Sequence, residues 1–440
     1  MPASRHVAVI GAGWAGCAAA VELADAGHRV TLIESARTLG GRARAVAFDG
    51  RKLDNGQHIV LGAYKESLRL MRKTGIDGER ALLRLPLQMR YPSEGMDFVA
   101  PRLPAPWHVA LGLWRAKGLE KGDKLALLRF ISAARWMAWR LDVDCSVDTL
   151  LHQHEQTERL IRLMWAPLCI AALNTPPERA SARIFLNVLR DSLGARRAAS
   201  DMLIPRTDLS ALFPQAAAGF VTKHGGEVLS GVAIQRIATA NGKWQLASNK
   251  ADALPAFDGV VLAVPAAQVN ELLNEVTTEA LVPAFDYEPI TTCYLQYGDE
   301  LKLAAPFFAL LDDPAANAWG QFVFDRGQLD GQAGLLAIVV SASAQAIELD
   351  KETLVSALAA QLAKAFAMPQ LATPLWTQVI TEKRATFSCT PGLQRPEEAT
   401  SCPRLVLAGD YLASDYPATL ESAVRSGVKA AALLDAQLAE

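Results

Sequence analysis

Nowhere in its 440 residues does the chain reach the roughly 20 consecutive uncharged apolar residues that a membrane-spanning helix needs. Nor do a charged region, an apolar run and a cleavage site precede the first apolar strand near His6. The expected setting is therefore cytoplasmic, with at most peripheral attachment to the cytoplasmic face of a membrane. A basic excess is missing too: Lys and Arg number 44 against 46 Asp and Glu, which excludes the usual profile of a nucleic-acid binder. The six cysteines (Cys17, Cys145, Cys169, Cys293, Cys389 and Cys402) form no C-x-x-C pair and have no histidine at metal spacing. Neither a disulfide framework nor a metal site is expected, and the thiols suit a reducing compartment. Internal repeats and low-complexity linkers are also absent. What remains is a globular composition, 51% hydrophobic and 20% charged, long enough for two domains.

The apolar run HVAVI (residues 6–10) closes on glycines and reads as a buried parallel strand. Small and apolar residues over 15–26 suit a helix packed closely on a sheet, Gly27 stops it, and HRVTLIE gives a second strand ending at Glu34. Between Leu103 and Leu151, Trp107, Trp114, Trp136 and Trp139 lie among Lys, Arg and Leu at spacings that suit amphipathic helices, and residues 155–197 continue helically. The pattern returns to strands over 219–268 and again over 289–345, followed by a helix near 350–366 and a final strand, loop and helix. One nucleotide domain of residues 1–90, 215–275 and 400–440 is expected, interrupted by a substrate domain of residues 91–214 and 276–399 that carries the helical insert.

Gly11, Gly13 and Gly16 form G-x-G-x-x-G after a strand and at the opening of a helix, the context in which the motif has physical meaning. The first glycine permits the turn, the second lets backbone approach a pyrophosphate, and the third lets helix pack on strand. Trp14 and Ala15 lie within this turn, where the helix N-terminus offers N–H groups to phosphate. Glu34, with Ser35 beside it, ends the second strand where a carboxylate can accept ribose hydroxyls. These residues alone admit NAD or FAD.

The segment LGGRARA (Leu39 to Ala45) follows directly, and RLVLAGDYL ends a late strand in Gly409–Asp410 before a helix that begins near Thr419, Leu420 and Glu421. Each could be an ordinary turn. Together they resemble FAD enzymes of the amine oxidase and carotenoid desaturase superfamily. That resemblance implies an α/β fold: a Rossmann-like FAD-binding domain of the amine oxidase/glutathione reductase type, interleaved with an α+β domain of mixed sheet and helices. It places Gly40, Gly41, Arg42, Gly409, Asp410 and the start of the last helix at a non-covalent FAD, with Val232 against the adenine. The usual serine or threonine after the arginine is replaced by Arg44 and Ala45.

LDNGQHIVLGAY (Leu53 to Tyr64), WAPLCIAALNTPPERAS, LIPRTDLSALFP and YPATLESAVRSG narrow the resemblance to the squalene-associated FAD-dependent desaturases. This implies reduction of hydroxysqualene, or a similar long isoprenoid, to squalene with loss of water, alongside partner enzymes of the squalene pathway. Asn55, Gly56, Gln57 and His58 are expected to line the flavin. Asp54, His58 and Tyr416 are candidates for the proton donor, and Glu421 is a weaker one. With no second G-x-G-x-x-G, either NAD(P)H enters the substrate pocket as reductant or another protein reduces the flavin. Competing readings are an oxidising relative, a carotenoid-type desaturase or amine oxidase, and an isoprenoid carrier of the escort-protein type that has lost flavin chemistry. The tryptophan-rich insert reads either as packed helices of the substrate domain or as a patch that dips into a membrane.

Overall fold

The computed structural model describes residues 4–92, 95–250 and 254–440. Ten strands build its two largest sheets: β1 (His6–Ile10), β2 (Arg29–Glu34), β3 (Glu227–Ser230), β4 (Gly259–Leu262), β5 (Tyr287–Gln296), β6 (Phe307–Ala309), β7 (Phe322–Asp325), β8 (Leu335–Val340), β9 (Trp376–Phe387) and β10 (Leu405–Leu407). The helices used below are α1 (Trp14–Asp25), α2 (Lys65–Lys73), α3 (Trp107–Arg115), α4 (Lys121–Trp136), α5 (Ala182–Ser192), α6 (Pro214–Lys223), α7 (Lys351–Phe366) and α8 (Leu420–Ala439).

The first sheet is parallel throughout, in the order β3-β2-β1-β4-β10. Its central strands are continuous apolar runs because helices cover both faces, leaving no solvated side for polar alternation. Val7 lies between Val30 of β2 and Gly259 of β4, so segments more than 200 residues apart share one register. Helices α1 and α8 cross where Gly427 meets Ala15; a Cβ on Gly427 would collide with the Ala15 carbonyl oxygen. Burial of the small face AGCAAA against α8 and the sheet is what makes this helix stable despite its few strong polar contacts.

The second sheet is antiparallel, ordered β6-β7-β8-β5-β9, with α7 against one face. Two sequence expectations change here. Residues 219–223, read as the start of a strand-rich stretch, belong instead to helix α6: Pro214 sits in its first turn, three alanines follow, and Gly225 at φ +79° ends it. Strand β9 was not anticipated, because WTQVITEKRATF is polar and half-exposed along its length, so no apolar alternation betrays it. The helical stretch expected over 155–197 is present but divided, with a π-helical turn at Ile161–Trp165.

Candidate active site

The turn after β1 is a cradle of backbone. Gly11 adopts φ +101°, and a side chain there would strike the Ala263 carbonyl. A Cβ on Gly16 would strike Gly11 itself. Gly13 caps α1 without any side-chain bond, so the first-turn N–H groups face outward for an anion. Gly40 and Gly41 close on this turn: Gly40 N donates to Ala12 O at 2.9 Å, and a Cβ on Gly41 would come within 3.1 Å of Gly13 Cα. Trp14 and Ala15 belong to the turn through their main chain only. The Trp14 ring is buried against Phe213, and the Ala15 carbonyl faces Gly427.

At the end of β2, Glu34 accepts from Ala12 N at 2.8 Å and Ala36 N at 2.9 Å, with Ser35 Oγ at 3.2 Å. Val232 N donates to Glu34 O at 2.9 Å, so the residues expected at ribose and adenine are neighbours. Farther along, Arg42 bridges two remote segments, donating to Asp410 Oδ1 and to Ala385 O, each at 2.6 Å. Gly409 N is tied to α8 through Ser426 Oγ at 2.8 Å. The structure thus gathers Arg42 and Gly409–Asp410 beside one another, as a single cofactor site requires.

Asp54 is 2% exposed and wholly engaged. Its Oδ1 accepts from Leu209 N at 2.8 Å and its Oδ2 lies 3.3 Å from Arg326 Nη2. Tyr294 Oη donates to Asp54 O at 2.8 Å and accepts from Gln57 Nε2 at 2.8 Å, while Arg326 Nη1 donates to Gln57 Oε1 at 2.6 Å. Arg326 also pairs with Asp330. Asn55 Nδ2 reaches Arg42 O at 3.0 Å. Burial pushes the Asp54 carboxyl up to about 6, against the opposing pull of Arg326. His58 moves the other way: burial first, then the Arg42 charge, push its imidazole down to about 4, so it is neutral at pH 7. Gly56 sets the turn between them at φ +104°.

Tyr416 donates to Asp191 on α5, and the Arg425 guanidinium stands 4.8 Å from its ring centroid. Burial, then the bond to Asp191, push its phenol up to about 12. It borders a cleft of about 220 Å³ shared with Glu398, Ser422, Arg425 and Lys429. Glu421 is turned elsewhere. Its carboxylate accepts from Glu66 N at 3.1 Å, Ser67 N at 2.9 Å and Ser67 Oγ at 2.8 Å, capping α2, and from Arg425 Nε at 2.7 Å. Both of its carboxylate oxygens are thereby engaged within the protein. Thr419 caps α8 through Ser422 N at 3.1 Å, and Leu420 is buried beside it.

Sequence reasoning missed Arg326, Tyr294 and Asp191. Each meets its partner in the site (Asp54 for Arg326 and Tyr294, Tyr416 for Asp191) across a long stretch of chain, and no local motif marks it. Tyr411 was missed as well, although it directly follows Gly409–Asp410; its hydroxyl is buried without a partner among the described residues. Among the described residues no group of three His, Cys, Asp or Glu is placed to hold a metal, and no helix is long and apolar enough to cross a membrane. A side-chain-free cradle, an acidic strand end and an uncapped helix fit the pyrophosphate and ribose of a dinucleotide.

Comparison with known proteins agrees over nearly the full chain. The family model "Flavin containing amine oxidoreductase" matches residues 14–434. The hydroxysqualene dehydroxylase of Rhodopseudomonas palustris is 29% identical, with 98% of each chain covered. That of Zymomonas mobilis subsp. mobilis is 27% identical over 97% of this chain and 98% of its own. Among solved structures, cyclohexylamine oxidase from Brevibacterium oxydans superimposes with a TM-score of 0.69 at 17% identity, covering 100% of both chains.

Proposed function

The chain belongs to the flavin containing amine oxidoreductase family and is an FAD-dependent oxidoreductase, and from that premise we propose that it reduces hydroxysqualene to squalene with loss of water. The carrying observation is similarity along almost the whole of both chains to hydroxysqualene dehydroxylases, in the substrate half as well as the cofactor half. Bound and reduced, FAD supplies a hydride. The residues of this chain do the rest. Backbone N–H groups at Gly13 to Gly16 hold the pyrophosphate, Glu34 the ribose, Val232 the adenine edge, and Arg42 with Asp410 the middle of the cofactor.

Chemistry at the allylic carbon requires a proton for the departing hydroxyl and exclusion of water. Asp54 is a positioning residue: with Arg326, Gln57 and Tyr294 it fixes the segment 54–58. Tyr416 has its proton committed to Asp191. His58 has no side-chain bond to a described residue, and as a neutral imidazole it keeps one N–H to hydrogen-bond the leaving oxygen, which departs as water on taking a proton from solvent. Reduction of the flavin by NAD(P)H, a cytoplasmic setting, squalene-pathway partner enzymes and the division into residues 1–90, 215–275 and 400–440 against 91–214 and 276–399 belong to the same proposal.

Anaerobic incubation of purified protein with FAD, a reductant and hydroxysqualene should yield squalene by gas chromatography. A desaturated product formed only under oxygen would replace this reading with that of an oxidising desaturase.

A further inference from the structure

Ten large hydrophobic side chains are exposed among the described residues, and six of them lie between residues 107 and 143. Trp107 is 66% exposed, Trp114 72%, Leu125 60% and Trp136 90%, with Leu128 and Val143 beside them. These are the three most exposed tryptophans of the nine in the chain; Trp14, Trp139, Trp165 and Trp244 are buried.

The exposed residues fall into stripes. On α3, Trp107 and Trp114 stand two turns apart with the half-buried Leu111 between them. On α4, Leu125, Leu128 and Trp136 lie on one face with Ser132. The opposite faces are anchored in the core through Val109, Leu113, Leu127 and Phe130. Lys124 Nζ donates to Trp114 O at 2.7 Å, which sets the end of α3 beside the start of the α4 stripe. Packing therefore accounts for one side of each helix and leaves the other uncovered.

Charge says what covers it. From Trp107 to Arg140 the chain carries seven basic residues and two acidic ones, although the whole molecule has a net charge of −2. Both acids are occupied: Asp123 is buried in the cap of α4, and Glu120 is paired with Arg159. Arg115, Lys117, Lys121, Arg129, Arg135 and Arg140 are exposed around the apolar stripes. Of these six, Arg129 alone has an acidic partner among the described residues, Glu155 at 3.5 Å. Exposed tryptophans ringed by such cations match the interface of a bilayer, where indole rings sit among headgroups and cations meet lipid phosphate.

We propose that the exposed face of α3 and α4 docks the protein on an anionic phospholipid surface. The docking deepens the isoprenoid reading above, since such a substrate dissolves in a bilayer. It is tested without turnover, so either reading can fail alone. The holoprotein should co-sediment with vesicles of phosphatidylcholine and phosphatidylglycerol, with a blue shift in tryptophan emission, and far less with phosphatidylcholine alone. Added salt should weaken it. Replacing Trp107, Trp114 and Trp136 by serine should lower partitioning about tenfold or more. Replacing Arg115, Lys121 and Arg135 by glutamine should lower it about fivefold per charge. Flavin absorbance and Tm should hold in both variants, which separates lost docking from misfolding. No binding of the native protein to the anionic vesicles overturns the proposal. So does a dimer, seen by sedimentation velocity, that the serine variant dissolves while vesicles remain unbound.

Discussion

Asp54 holds its proton more tightly in the folded protein than in the unfolded chain, where a carboxyl titrates near its ordinary value, and this has a definite sign. Between about pH 4 and 6 the native state binds the extra proton, so stability is greatest below that window and falls as pH rises through it. The loss from this one group amounts to about 3 kcal/mol at most. Asp54→Asn should flatten that fall when urea unfolding at pH 4.5 and pH 7 is compared, while loosening the 54–58 segment enough to reduce turnover. His58→Ala should retain bound FAD by absorbance yet lose about 100-fold in kcat. Unchanged turnover would show that His58 makes no contact needed by the leaving oxygen. Glu34→Ala should weaken FAD binding about tenfold in a flavin-release titration, in line with one charge-assisted hydrogen bond lost to a ribose. The residues that announced themselves in sequence, Gly11, Gly13, Gly16, Glu34 and Arg42, act through backbone shape or a local motif. Arg326 and Tyr294 stayed hidden because their partners lie across the fold.

Helix α8 shows how much an element depends on one missing atom. Gly427→Ala would force α8 off α1 at the Ala15 carbonyl, and a cost of about 1–3 kcal/mol is expected, read as a lower Tm with early loss of flavin. The same substitution at Gly219, on α6 with open space about it, should raise Tm slightly through helix propensity. Elements with steep apolar patterning, such as β1, β2 and α1, were legible because both faces of their sheet are buried. The helix α6 was obscured by Phe220 and Val221, which suit strands, although Pro214 and the alanines carried the helical signal. Strand β9 is held by pairing along β5 with a register shift near Glu288, a tertiary cause that its own residues do not disclose.

Across the whole molecule, the parallel sheet is assembled from three separated stretches of chain, and the site is shared among them. Sequence motifs at the two ends pointed to one cofactor, and the Arg42–Asp410 pair is the physical form of that agreement. The face of α3 and α4 was legible only as an ambiguity, because composition cannot tell a packed tryptophan from an exposed one. The late position of β10 carries a consequence for synthesis. A ribosome that has just finished β9 has produced every glycine of the cradle but neither β10 nor Asp410, and the helix α8 that locks α1 is still to come. Chains that stop short of β10 should therefore be colourless, so the yellow of bound flavin would report that synthesis had passed Asp410 and α8.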